Sequence, residues 1–144
     1  VHQVCDAFAA LARLPSTRLM ARSSLYRTAP VGKLDQPDFV NAVARLETAL
    51  APEALLQALL AIEGSQGRVR GERNAPRTLD LDLLLYDDLV LDRPGLTLPH
   101  PRLHERAFVL VPLAELDPAL RVPGRGPLRA LLAQVAGQRV TRMG

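Results

Sequence analysis

The chain has 144 residues, 48% of them hydrophobic, a net charge of +3 and one cysteine. That length suits a single domain over residues 1–144 with its own core, and one cysteine excludes a disulfide framework. No run of about 18 apolar residues marks a membrane span and no signal-peptide pattern opens the chain, so a cytoplasmic protein is expected.

In chain order, Val1, Val4, Phe8 and Leu11 recur at helical spacing and predict an amphipathic helix over 1–13, with Cys5 a buried structural thiol on its apolar face. Thr17 to Thr28 and Phe39 to Ala49 predict two strands joined by a long loop, 29–38, rich in turn residues. Pro52 starts a second helix that is expected to run to Glu63 and to break at Gly64 and Gly67. A polar loop, 65–76, follows. Thr78 to Tyr86 is the strongest predicted strand, turned at Asp87-Asp88 into a return strand over Leu89 to Leu91. Short helices are expected from near Arg106 to Leu116 and over Pro127 to Val135. The order helix, strand, strand, helix, strand predicts an α/β (α+β) fold. It fits a ferredoxin-like sandwich with a mostly antiparallel sheet and flanking helices, lacking only a strand ahead of the first helix.

The chemistry concentrates around 63–106. Asp80 and Asp82 lie two apart in the predicted strand, so both carboxylates share one face, opposite Leu79, Leu81 and Leu83. At roughly 6.6 Å and an effective dielectric near 20 they repel by about 2.5 kcal/mol. A cation offsets that repulsion, and Mg²⁺ takes one or two carboxylates plus phosphate oxygens. The alternative is two solvated acids on an exposed edge. Seventeen of the 18 basic residues are arginine, with Lys33 the exception, and Arg68, Arg70, Arg73 and Arg77 fall together just ahead of the acids. Guanidinium groups grip phosphate oxygens in bidentate fashion, although a solvated loop or pairing with the acids would also use them. His100 is held between Pro99 and Pro101, with Arg106 six residues on. No Walker A or G-x-G-x-x-G pattern is present.

Five motifs, in order, carry a resemblance: Tyr26-Arg27-Thr28-Ala29-Pro30; Gln36-Pro37-Asp38-Phe39-Val40-Asn41-Ala42; Gly67-Arg68-Val69-Arg70; Pro76-Arg77-Thr78-Leu79-Asp80-Leu81-Asp82; and Leu98-Pro99-His100-Pro101 with Arg106-Ala107-Phe108. From about Val4 to Val135 the chain resembles the 6-hydroxymethyl-7,8-dihydropterin pyrophosphokinases of folate biosynthesis. The resemblance implies a ferredoxin-like fold and transfer of the pyrophosphoryl group of ATP to the pterin hydroxymethyl, releasing AMP. It implies that Asp80 and Asp82 ligate two Mg²⁺ ions, that Arg68 and Arg77 grip phosphate, and that Arg70 is a weaker counterpart. Glu63, His100 and Arg106 match positions that contact ATP, and Leu83 and Thr97 match its adenosine end. Thr28, Ala29, Val31 and Asn41 match the pterin site, with Phe39 and Phe108 sandwiching the flat ring. A monomer acting on small molecules, with neither nucleic acid nor membrane as partner, is expected.

The sequence departs from the family in places. The family's N-terminal strand and Gly-Ser-Asn-Leu turn are absent ahead of the first helix, so an N-terminally truncated domain is expected. Asn74 stands where many members carry tryptophan, and Gly95 and Pro101 replace bulkier residues. The rival readings are a catalytically impaired truncated homologue, a Mg²⁺-dependent phosphodiesterase or nuclease, and an RNA-binding module. The last would place aromatics rather than acids on its central strands.

Overall fold

The computed structural model describes residues 2–28, 39–68 and 80–143, with His2 and residues 66–68 described by their backbone alone. Helix α1, His2–Ala12, buries Ala7, Phe8 and Leu11 along one stripe. Strand β1, Thr17–Arg22, pairs antiparallel with β4, Ala44–Thr48, and β2, Tyr26–Thr28, pairs antiparallel with β3, Phe39–Asn41. The expected long hairpin is therefore present, broken into two pairs at residues 23–25 and 42–43. Buried Ser23 makes the break: its N–H donates to the Val43 carbonyl (2.8 Å) and its hydroxyl accepts from the Val43 N–H (2.9 Å).

Helix α2, Pro52–Arg68, runs through Gly64 and Gly67 instead of breaking there. A helical glycine costs about 1 kcal/mol relative to alanine, and the apolar face of Leu55, Leu59 and Ile62 outweighs it. Strands β5, Leu91–Arg93, and β6, Leu96–Leu98, form a hairpin turned at Pro94-Gly95, where Gly95 takes φ +80°. A 3₁₀ turn, Leu103–Glu105, leads into α3, Ala107–Leu116. Strands β7, Arg121–Val122, and β8, Gly126–Pro127, form a second small hairpin ahead of α4, Leu128–Gln134. Strand β9, Thr141–Arg142, returns to pair with β2. The class is α+β, as expected, and every strand pairing among the described residues is antiparallel.

Three further expectations change. Residues 80–86 have no regular secondary structure and form no ladder among the described residues, and the return strand over 89–91 is replaced by β5–β6. Alternation and apolarity specify an extended chain with two faces; a ladder also needs a neighbour, which the pattern does not encode. Cys5 is exposed, because it lies about 100° round the helix from Val4, outside the stripe of Ala7, Phe8 and Leu11.

Two apolar clusters make the core. One joins Leu103, Leu110 and Leu113 to Val122, Leu128 and Leu131, and the other joins Phe8 and Leu11 to Leu59 and Ile62. Segment 81–85 spans both: Leu81 and Leu83 pack on the second cluster, Leu84 and Leu85 on the first. No described helix is long and apolar enough to cross a membrane.

Candidate active site

Asp80 and Asp82 are exposed while Leu81 and Leu83 between and beyond them are half-buried, so the alternation turns both carboxylates to solvent. The backbone is held from behind. The Leu81 N–H donates to the Glu63 carboxylate of α2, and the Leu84 carbonyl accepts from the His100 N–H at 2.8 Å. Glu63 thus supports the aspartate segment. Hard carboxylate oxygens facing solvent are the donor set that Mg²⁺ shares with phosphate. Among the described residues no group of three or more His, Cys, Asp or Glu could hold an ion, so a cation at the aspartate pair would need further ligands.

His100 stands beside this pair. Its Nδ1 accepts from the Arg102 N–H at 3.2 Å, which leaves the proton of the neutral ring on Nε2 as a donor. Burial lowers its pKa below the ordinary 6.5; the nearby Asp82 charge opposes the shift, and Arg106 and Arg102 add to it. The Asp82 carboxylate and the Arg106 and Arg102 guanidinium groups thus lie near enough to act on the ring, with Arg102 itself bonded to Glu105 at 3.2 Å. Arg106 lies over the Phe108 ring, 5.6 Å from guanidinium carbon to centroid. As the N-cap of α3, Arg106 adds a full positive charge to the positive end of the helix. That is a poor arrangement for stability and a good one for an anion.

The candidate pterin residues fall on β2 and β3. Thr28 lies opposite Phe39, and the Asn41 amide reaches the Thr28 hydroxyl at 3.5 Å. The Phe39 ring is 56% exposed, as a stacking residue needs to be, whereas Phe108 is half-buried against the first cluster. Helix α3 connects the two groups. Its first turn carries Phe108, and Glu115 in its last turn accepts from the Tyr26 hydroxyl at 2.6 Å and from the Ser24 N–H at 3.0 Å. Thr97 lies on β6, its hydroxyl 3.4 Å from Asp92, and Leu83 packs into the second cluster. Arg70, Arg77, Ala29, Val31 and Asn74 lie outside the described residues, as does the side chain of Arg68.

The sequence model of 7,8-dihydro-6-hydroxymethylpterin-pyrophosphokinase matches residues 1–118. The chain belongs to that pyrophosphokinase family. A 2-amino-4-hydroxy-6-hydroxymethyldihydropteridine pyrophosphokinase of Pseudomonas aeruginosa is 52% identical over 142 residues, covering 99% of this chain and 88% of that protein. The Haemophilus influenzae protein of the same name is 43% identical over 143 residues, covering 99% and 89%. The folic acid synthesis protein fol1 of Schizosaccharomyces pombe is 39% identical over 138 residues, which are 95% of this chain and 19% of that protein.

Two supports of this candidate site in the pyrophosphokinase chain are absent from the sequence reading. Glu115 holds the base of β2, and its charge is kept below the usual carboxylate range chiefly by the Tyr26 hydroxyl. Tyr26 itself is pushed up to about 12, first by burial and then by Glu115, so its hydroxyl stays a donor. Gln138 bonds to the backbone on both sides of Arg106. Neither lies near its partner in sequence, and no local pattern announces such a contact. The one available signal is an arginine where a helix start ordinarily has Ser, Thr, Asp or Asn.

Proposed function

We propose that the chain transfers the pyrophosphoryl group of ATP to 6-hydroxymethyl-7,8-dihydropterin, releasing AMP, as a step of folate synthesis. The observation that carries this is family membership over residues 1–118 together with an exposed aspartate pair beside His100 and Arg106. Asp80 and Asp82 would hold Mg²⁺, two ions in the full reading, whose charge would offset that of the phosphates.

In this reading the pterin hydroxymethyl oxygen attacks the β-phosphorus. The bond from that phosphorus to the oxygen shared with the α-phosphate breaks, AMP departs with the electron pair, and the hydroxyl proton is lost. Such a step needs positioning and charge stabilisation more than a strong base. Arg106 and the Nε2–H of His100 supply a cation and a neutral donor to phosphate oxygens, with Glu63 holding the aspartate backbone. Arg68, Arg70 and Arg77 complete the phosphate grip, and Leu83 and Thr97 face the adenosine end. Thr28, Ala29, Val31 and Asn41 bind the pterin edge, with Phe39 and Phe108 stacking on its faces. The same reading takes residues 1–144 as one domain working as a cytoplasmic monomer.

The test is AMP formation from Mg·ATP by the 144-residue chain, with and without hydroxymethyl-dihydropterin. Pterin-dependent AMP that disappears in Asp82→Ala supports the reading. AMP released without pterin points to the phosphodiesterase, and no AMP under either condition to an impaired homologue.

A further inference from the structure

Helix α3 starts badly by the ordinary rules. Its N-cap is Arg106, in extended conformation (φ −123°, ψ 108°), whose own side chain makes no capping hydrogen bond. The first N–H groups of a helix lack intrahelical partners, and arginine has no acceptor to offer them. The missing acceptor comes from the connection between α4 and β9. The Gln138 Oε1 accepts from the Ala107 N–H at 2.9 Å, and its Nε2 donates to the Glu105 carbonyl at 2.8 Å. One primary amide thus grips the backbone on both sides of Arg106 and leaves the arginine side chain untouched.

The remaining backbone groups here are also engaged. The Arg106 N–H donates to the Leu103 carbonyl at 3.4 Å, and the Arg106 carbonyl accepts from the N–H groups of Val109 and Leu110 at 3.0 Å each. With the peptides before and after it fixed, the direction of the Arg106 side chain is fixed at its root. The Phe108 ring, two residues on, supports the guanidinium. Gln138 is itself exposed, so water can replace its hydrogen bonds when it is removed. Its deletion is therefore felt in the geometry of residues 105–107 more than in the stability of the fold.

We propose that Gln138 is a positioning residue: its amide brackets the Arg106 backbone and fixes the guanidinium for a nucleotide phosphate. The proposal rests on the reading of Arg106 as a phosphate contact. The test is calorimetric binding of α,β-methylene-ATP with Mg²⁺ to the full chain and to Gln138→Ala, Arg106→Ala and the double variant, with Ala107 amide exchange followed by NMR. Gln138→Ala is expected to speed exchange at Ala107 and to weaken nucleotide binding by about threefold to tenfold, the effect of a hydrogen bond or two. Pterin affinity stays within about twofold, and on the Arg106→Ala background Gln138→Ala adds nothing, because it acts through that side chain. If Gln138→Ala binds nucleotide normally while Arg106→Ala does not, the bracket is overturned and the assignment of Arg106 stands. If Arg106→Ala itself binds normally, that assignment falls and the role of Gln138 with it. Additive losses in the double variant also overturn the proposal.

Discussion

The aspartate segment and the His100–Phe108 corner sit side by side and are held in opposite ways. Residues 80–85 have no strand ladder among the described residues. Leucines packed into two separate clusters hold them, with one N–H given to Glu63 and one carbonyl to His100. The corner is held by backbone hydrogen bonds over a solid floor: Leu98 and Leu103 are each 1% exposed and Leu110 is fully buried. A carboxylate pair needs its oxygens turned to solvent and tolerates a segment anchored by its apolar face alone. In the proposed reading a guanidinium and an imidazole meet phosphate oxygens at set distances, a task that a pinned backbone suits. The difference teaches where precision is needed.

The largest expected effect comes from removing the anionic side. Asp82→Ala should reduce the rate of pterin-dependent AMP formation by at least about a hundredfold, a loss comparable to that of a principal charge-stabilising group. The fold should persist, since the Asp82 side chain is exposed and packs in neither cluster. A variant that keeps more than a tenth of the activity would remove the aspartates from the centre of the site. The supports come next. Leu110→Ala should lower stability in urea by about 3–4 kcal/mol, and Leu81→Ala, from a half-buried position, by about half as much. Equal losses would mean that the two regions are held alike.

How far the sequence reaches follows the same division. Leucines alternating with aspartates were enough to orient residues 80–83, because a side chain's face depends only on its neighbours in the chain. The hairpin of β1–β4 and the apolar faces of α1 and α2 were legible for the same reason. The want of a ladder along 80–86 among the described residues and the continuation of α2 through Gly64 were not, since both turn on what packs alongside. The family was legible in the motifs. The supports of the candidate site were not: Glu115 reaches back 89 residues to Tyr26, and Gln138 reaches 31 to Ala107. An exposed glutamine has no signature until the backbone it touches is known.

Glu115 extends the comparison to β2, which is pinned like the corner though at the other end of α3. Glu115→Gln removes the charge that strengthens the bonds from Ser24 and Tyr26 and that draws in Arg142. The expected result is a KM for the pterin raised about threefold to tenfold with the KM for ATP unchanged, from weakening one or two charge-assisted bonds. A matching rise in both constants would show a general loosening instead. The stability that this carboxylate contributes is present above the unfolded-state value of 4.5 and is lost as pH falls through its lowered folded value.

The smallest effect is read at the line where the two regions meet. Because burial lowers the folded-state pKa of His100, the unfolded chain takes up its proton first as pH falls below 6.5. Stability should therefore decline through that window and level off, as far as this group is concerned, below the folded value. Asp82 works against the shift, since its negative charge favours the imidazolium, while Arg106 and Arg102 work with it. Asp82→Asn removes the opposing charge without changing the shape of the side chain. The His100 pKa, followed by NMR titration of its ring protons, should move further down, and the window of acid-induced loss should widen. Arg106→Gln should move it up. A His100 titration that ignores both substitutions would separate the aspartates from the cationic corner, leaving two neighbouring features and not the one site proposed.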